Sequence, residues 1–134
     1  MSSSAAAESY CSGSEMNGYG GYTDWRLPTI SELRTLIQNC PATQFPLIGE
    51  ESCGITHPDH LSYNDWNDAC NGCTYDSNNP GQYSKFGDSG YFWSSSIRSG
   101  NSGNAWYVYF SDGGVDDGVY IDNLGNGTYV RCVR

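Results

Sequence analysis

Cysteine is the residue type in this sequence whose spacing most directly suggests covalent chemistry. The chain of 134 residues contains six cysteines, an even number and a high density for its length. This pattern is typical of disulfide frameworks formed in oxidising compartments. The economical local pairings are Cys40 with Cys53 and Cys70 with Cys73. Zinc is the alternative, but the sequence has only one Cys-x-x-Cys motif, so we predict disulfides.

Three weaker patterns could support redox or metal chemistry. The spacing of Cys70 and Cys73 would suit a redox-active pair, but no strand–helix pattern of the thioredoxin type surrounds it. His57 and His60 have the spacing of metal ligands, yet they lie in a Pro-containing loop. Acidic residues are frequent between residues 59 and 76, without an Asp-x-Asp-x-Asp-Gly calcium loop. We therefore expect no cofactor and no metal site, and calcium is the alternative.

Non-covalent recognition is the other chemistry that the sequence suggests, and its residues are concentrated in the C-terminal third. From Tyr91 onwards, large apolar residues alternate with Ser, Asn, Asp, Gly and Tyr. Tyrosine provides contact area at a low entropy cost, and Ser, Asn and Gly provide adaptable hydrogen bonds. We predict that the outward-facing residues of this segment form a ligand-binding surface: Ser96, Arg98, Asn101, Asn104, Tyr107, Tyr109, Asp112, Asp116, Asp117, Tyr120, Asp122, Asn123 and Asn126.

The expected aromatic anchors of this surface are Tyr107, Tyr109 and Tyr120, with Asp and Asn selecting the partner. The net charge of −9, with only six Lys and Arg, disfavours nucleic acid, anionic membrane surfaces and sulfated glycans. A protein ligand is favoured and carbohydrate is the alternative, while the sequence does not indicate an oligomeric state. Because no Ser/His/Asp constellation stands out, the predicted function is recognition without catalysis.

Two short helices are predicted in the first third of the chain. Good helix formers indicate one over residues 5–11. Thr29 and Glu32 form a capping box that starts the second, which ends by Asn39. Its apolar residues recur at helical spacing on one face: Ile30, Leu33, Leu36 and Ile37.

The segment just before the second helix carries three residues with predicted roles. Trp25 and Leu27 are expected in the core. For Arg26 we expect a buried salt bridge, with a ligand contact as the alternative. From residue 41 to about 88 the pattern is irregular and rich in Pro, Asn, Asp and Gly, which predicts long loops held by disulfides.

Strands dominate the C-terminal part of the chain. They are predicted over residues 92–97, 104–110, 115–121 and 128–133, with the clearest alternation in 104–110. The polar residues between the apolar ones indicate an antiparallel sheet with one solvated face. The predicted inward set is Trp93, Ile97, Trp106, Val108, Phe110, Val115, Val119, Ile121 and Val130.

Several motifs together resemble a bacterial domain family. Residues 21–37, GYTDWRLPTISELRTLI, resemble the GGYxDWRLPTxxEL segment of the family of the C-terminal domain of the collagen-like adhesin Lcl. Residues 6–11 resemble its first helix, and residues 91–96, 104–110 and 129–134 resemble its other landmarks. The resemblance therefore covers nearly the whole chain in order.

The resemblance implies an α+β, C-type-lectin-like fold. Two helices would pack on a small twisted antiparallel sheet with long loops, and a disulfide, here Cys11 to Cys132, would tie the first helix to the last strand. One domain over residues 1–134 is expected. Its helical part spans about 5–40, its loop region about 41–88 and its strand-rich binding half about 89–134. The chain departs from the family in starting at or inside the first helix.

A narrower resemblance is to the variable proteins of diversity-generating retroelements. In these proteins adenine-directed mutagenesis rewrites the end of a C-type-lectin-like domain, and the polar positions from Ser95 to Thr128 are similar to such an outcome. The resemblance implies a receptor or adhesin. The alternatives are a Cys-dependent enzyme similar to formylglycine-generating enzymes, and a calcium-dependent lectin, for which Trp66-Asn-Asp68 is the matching run.

The expected location is extracellular, or on a cell or virion surface. A disulfide-rich chain fits this location, although the first residues lack the pattern of a signal peptide and no apolar run reaches transmembrane length. We therefore expect a part of a longer or processed protein.

Overall fold

A computed structural model describes residues 4–14, 16–46, 52–57, 61–100, 103–118 and 128–134. These residues include the two predicted helices, α1 (Ser4–Ser12) and α2 (Ile30–Arg34). They also form four strands, in the order β3-β2-β1-β4 across one sheet. The strands are β1 (Tyr91–Ile97), β2 (Ala105–Tyr109), β3 (Gly114–Gly118) and β4 (Thr128–Tyr129). The α+β class is thus confirmed.

The sheet is antiparallel except at one edge. Strands β1, β2 and β3 pair as consecutive antiparallel neighbours. Strand β4 pairs with β1 in parallel, with Tyr91 opposite Thr128. The prediction of a wholly antiparallel sheet is therefore wrong at β4. Strands that are joined directly by a short hairpin must run antiparallel. Strand β4 does not directly follow β1 in the chain, and it pairs with β1 at the edge of the sheet opposite β3, so either direction is open to it.

Helix α2 begins as predicted but ends early. The Thr29 hydroxyl accepts a hydrogen bond from the Glu32 N–H, and the Thr29 N–H donates to the Glu32 carboxylate at 2.9 Å. The helix ends at Arg34, and Ile37 instead pairs with Ser84 in the loop region. The apolar spacing still serves the core, because Ile30, Leu33 and Ile37 are all buried.

Arg34 fixes the long loops from inside the protein. Its side chain is fully buried, and it donates to the carbonyl oxygens of Thr43 at 2.7 Å and Ile55 at 2.5 Å. Burial lowers the pKa of this guanidinium to about 10. This role was not predictable from the sequence, because nothing in the helical position of Arg34 marks it as an internal donor to distant loops.

The residues before α2 differ from their predicted environments. Arg26 does form a salt bridge, with both carboxylate oxygens of Glu32 at 2.7 and 2.8 Å. The pair is exposed, however, so the predicted burial is wrong. Trp25 is only half-buried, because it packs beside Tyr19 and its indole N–H donates to the Tyr19 carbonyl oxygen. Leu27 lies in the core as predicted.

All six cysteines form disulfides, and all lie among the described residues. The bond between Cys11 and Cys132 is confirmed and joins α1 to the C-terminal segment. Both local pairings are wrong, since Cys40 bonds Cys73 and Cys53 bonds Cys70. The nested pairing arises because Cys40 and Cys73 both lie against the turn between β2 and β3.

The two faces of the sheet have different surroundings. We name the side that carries Trp106, Val108 and Phe110 the core face, because it packs on α2 and the loop region. We name the side that carries Tyr91, Tyr107 and Tyr109 the tyrosine face.

Helix α1 covers part of the tyrosine face. Ala7 and Cys11 of the helix pack there in one cluster with Trp93 and Ala105 of the sheet. The prediction of a simple solvated face is therefore corrected, because only the end that carries the tyrosines is open.

The predicted inward set is largely buried. Buried members are Trp93, Trp106, Val108, Phe110 and Val115, and Val130 is half-buried. Ile97 is 46% exposed, contrary to the prediction. It lies at the end of β1, after the register with β2 has shifted. Val119 and Ile121 lie outside the described residues.

Candidate functional site

The predicted ligand-binding residues do not form one surface. Ser96, Arg98, Asn104 and Asp117 lie with the core face or at its end. Tyr107, Tyr109 and Asp116 lie on the tyrosine face, and Asp112 lies in the adjoining turn. The remaining predicted residues lie outside the described part of the chain: Asn101, Tyr120, Asp122, Asn123 and Asn126.

Ser96 is a structural residue. It is 2% exposed, and its hydroxyl accepts a hydrogen bond from the Ile30 N–H at 2.9 Å. Ser94 beside it is also buried and donates to the Trp106 carbonyl oxygen at 2.7 Å. The outward orientation predicted for Ser96 is wrong. This small hydroxyl satisfies a buried donor in the first turn of α2.

Arg98, Asn104 and Asp117 form an intramolecular network. The Asp117 side chain is 4% exposed and accepts from Asn104 at 2.9 Å, with the Arg98 guanidinium at 3.4 Å. The guanidinium also lies 4.6 Å from the centre of the Tyr63 ring, which stacks on Trp66. These contacts satisfy the charges within the protein and join the β1–β2 hairpin to the loop region.

The tyrosine face carries a continuous row of aromatic rings. Tyr91 stacks on Tyr109, with ring centres 4.3 Å apart, and meets Tyr107 edge-to-face at 5.5 Å. Tyr107 in turn meets Trp93 at 5.7 Å. Each ring is held by its neighbour, so the row presents contact area that is already ordered.

A depression of about 140 Å³ lies beside this row. Its lining includes three tyrosines and two carboxylates: Tyr91, Tyr107, Tyr109, Asp112 and Asp116. Its lining also includes Trp66 and Asn71 from the loop region. The depression therefore joins the sheet to a loop.

Hydrogen bonds and a close contact with the loop region fix the turn that holds Asp112. One Asp112 carboxylate oxygen accepts from the Gly114 N–H at 2.7 Å, and the Asp112 carbonyl oxygen accepts from the Cys73 N–H at 2.7 Å. A Cβ at Gly72 would lie 2.5 Å from that carbonyl oxygen, so the loop can approach this closely only with glycine. The two disulfides of the loop region hold this contact in place.

The depression is lined by acidic groups that are partly buried from solvent. Burial raises the pKa of Asp112, against the hydrogen bond from Gly114. Burial also raises the pKa of Asp116, and the charge of Asp117 adds to this effect. Burial further raises the pKa of Tyr107, so its hydroxyl stays protonated at neutral pH. Among the described residues that line the depression, none is Lys, Arg or His.

Tyr91 lines the depression but was not among the predicted ligand-binding residues, and the same holds for Trp66 and Asn71. The position of Tyr91 two residues before Trp93 would place it on the same face by strand alternation. Its neighbours, however, depend on the register, which sets Tyr91 opposite Tyr109. The sequence alone does not give that register.

Two larger depressions lie elsewhere. One, of about 410 Å³, is a mostly apolar groove between Leu36, Phe86 and Val133. The other, of about 390 Å³, is lined by Tyr10, Trp25 and neighbouring residues. Neither combines aromatic rings with half-buried carboxylates on the sheet.

Observations in the described part of the chain bear on the alternative chemistries. It contains no group of three or more His, Cys, Asp or Glu residues that could hold a metal ion. In the Trp66-Asn-Asp68 run, the side-chain amide oxygen of Asn67 accepts a hydrogen bond from the Ala69 N–H. His60 lies outside the described residues. Cysteine-dependent catalysis would first require reduction of a disulfide.

Comparisons with other proteins identify the family. The described residues include no helix of the length and apolarity needed to cross a membrane. Searches of curated proteins and of solved structures found no match. A family model described as the Lcl C-terminal domain matches residues 1–134. Together with the motifs and the bond between Cys11 and Cys132, this match shows that the chain belongs to the Lcl C-terminal domain family.

Proposed function

We propose that this domain is a non-enzymatic ligand-binding module of the receptor or adhesin type, and that it binds through the tyrosine face. The observation that carries the proposal is the ordered row of Tyr91, Tyr107 and Tyr109 beside Asp112 and Asp116 in one open depression. Aromatic anchors surrounded by groups that can form hydrogen bonds are typical of the energetic centres of binding surfaces.

A protein is the favoured ligand. The depression presents carboxylates without a basic residue, and the whole chain carries a net charge of −9. Both features favour a neutral or basic partner and disfavour nucleic acid, anionic membrane surfaces and sulfated glycans. A carbohydrate, which could stack on the tyrosine rings, is the alternative ligand class.

We further propose a C-type-lectin-like fold and an extracellular location. Two helices beside a small sheet, with a disulfide from the first helix to the C-terminal segment, support the fold. Three disulfides in 134 residues support an oxidising compartment, either outside the cell or on a cell or virion surface.

Diversification by a retroelement remains part of the proposal, in a narrower form. Substitutions at Ser96, Asn104 or Asp117 would remove buried hydrogen bonds. Those at Tyr109 or Asp116 would change the open face and leave these buried hydrogen bonds in place. Sequencing the 3′ end of the gene across a population should therefore show adenine-directed changes concentrated on the tyrosine face. A uniform sequence would indicate a fixed adhesin.

Peptide selection tests the binding surface. Random peptides would be displayed on phage and selected on the immobilised, oxidised domain. We expect most selected peptides to lose binding to Tyr109→Ser. They should still bind Tyr75→Ser, a control that removes a tyrosine of 51% exposure in the loop region. Selected peptides that bind Tyr109→Ser as well as the wild type would contradict the proposal.

A further inference from the structure

The depression on the tyrosine face has the lining of a socket for a single cation. We propose that it receives one basic side chain, a lysine or an arginine of a protein partner. The inference rests on the proposed function and specifies which group of the partner enters the site.

The size of the depression fits one long side chain. Its volume of about 140 Å³ is roughly that of four or five water molecules in the liquid. A lysine side chain, with about five heavy atoms, displaces a comparable number of waters. A folded element of a partner would be too large to enter, so it would have to insert a side chain.

The lining selects for positive charge. The Gly114 N–H occupies one oxygen of the Asp112 carboxylate, and the Asp117 N–H occupies one oxygen of the Asp116 carboxylate, at 2.7 and 2.8 Å. No described Lys, Arg or His side chain forms an ion pair with the oxygens of either group, although the Asp112 N–H lies close to its own carboxylate and the Asp117 carboxylate lies close to that of Asp116. Both carboxylates are half-buried, so a cation that hydrogen-bonds to those oxygens would form strong, charge-assisted contacts.

The aromatic walls favour an organic cation over a metal ion. The rings of Tyr91, Tyr107 and Tyr109 supply faces and edges rather than the oxygen cage that a hard metal ion requires. Ammonium and guanidinium groups on alkyl stems instead gain from contact with both aromatic rings and carboxylates. The aromatic rings of the lining would therefore contact the apolar stem of a basic side chain, and the carboxylates would contact its charged end.

Nuclear magnetic resonance titration tests the socket directly. The probes are the Nα-acetyl-N-methylamides of lysine and arginine, and the matched neutral probes are those of norleucine and citrulline. The Gly114 and Asp117 amides report binding, because each donates to a socket carboxylate. We expect saturable shifts with at least one basic probe. With neutral probes the affinity should be at least roughly tenfold weaker.

Three variants make the test specific. Asp112→Asn and Asp116→Asn keep an oxygen that can accept the backbone hydrogen bond, so the turn is retained, and each should weaken binding of the basic probe roughly tenfold. Asp76→Asn is the matched control. Asp76 is exposed and accepts from the amide two residues further on, as Asp112 does, and its substitution removes the same charge. It should leave binding unchanged.

Other outcomes of these experiments would contradict the proposed socket. The socket would be overturned if the neutral probes bound as tightly as the basic probes, or if Asp76→Asn weakened binding of the basic probe as much as Asp112→Asn does. In that case, selected peptides that lose binding to Tyr109→Ser would still support the proposed function. Agmatine, a free amine, is the last probe. If it binds as tightly as a selected peptide with a basic residue, the socket serves free amines and the assignment to a protein partner is wrong.

Discussion

The same polar residue types have different environments on the two faces of the sheet. Ser96 and Asp117 on the core face are buried, and their oxygens accept hydrogen bonds from within the protein. On the tyrosine face, Tyr109 and Asp116 line an open depression. Composition alone therefore does not distinguish an open polar surface, here the proposed binding surface, from an internal polar network. What distinguishes them is the direction of each side chain and the donor or acceptor that it meets.

The adjacent residues Asp116 and Asp117 provide the largest expected contrast. Asp117→Ala should lower the free energy of unfolding by about 3 kcal/mol, because it leaves Arg98 and Asn104 without their buried acceptor. Asp116→Ala should change it by no more than about 1 kcal/mol. Urea unfolding of the oxidised proteins, followed by tryptophan fluorescence, measures both. Equal effects would mean that the two faces are not distinct in role.

A smaller effect is expected at Ser96. Ser96→Ala should cost about 1–2 kcal/mol of stability, since the Ile30 N–H would be left without its acceptor inside the protein. Ser99→Ala is the control, because Ser99 is exposed just beyond β1, and it should change stability by less than about 0.5 kcal/mol. The same urea experiment applies. A neutral Ser96→Ala would show that water or a shifted side chain replaces the hydroxyl.

The smallest effect concerns pH and the open face. The pKa values of Asp112 and Asp116 are raised above the usual 3.8, so the folded protein binds their protons more tightly than the unfolded chain does. Stability from these groups is present at low pH and is lost as pH rises from about 3.8 through their folded pKa values. The double variant Asp112→Asn/Asp116→Asn lacks this loss.

The comparison of variant with wild type isolates this contribution. Glu32 has a pKa lowered to about 2 by its bond to Arg26, so it acts in the opposite direction, but it is present in both proteins. Unfolding free energies at pH 4 and pH 7 should show the variant gaining on the wild type as pH rises. A variant that instead loses stability relative to the wild type over this range would contradict the burial of the two carboxylates.

Local patterns in the sequence predicted much of the fold. The capping box at Thr29 and Glu32, the alternation of Trp106 with Tyr107 and the tie between Cys11 and Cys132 are confirmed. The first two follow from hydrogen-bond and side-chain periodicities that span a few residues. The third came from the family resemblance.

Long-range arrangements were not predictable from those patterns. The nested bonds of Cys40 with Cys73 and Cys53 with Cys70 depend on how the loops fold against the β2–β3 turn. The site was predicted only in part for the same reason. Alternation separates two faces but does not say which one the loop region covers.

Paired libraries test most directly the claim that only the tyrosine face is free to vary. Both would be encoded with Asn, Ser, Asp, Gly and Tyr and displayed on yeast in oxidised form. One library changes Tyr109, Asp112 and Asp116. The other changes Ser96, Asn104 and Asp117.

The measurement is the fraction of each library that survives a fixed protease treatment. We predict that most members of the tyrosine-face library survive, because the hydrogen bonds that they lose, from the Gly114 and Asp117 N–H groups, lie at the half-buried open face, while the acceptors Ser96 and Asp117 stay in place. Few members of the core-face library should survive. Equal survival of the two libraries, or better survival of the core-face library, would contradict the division of roles between the two faces.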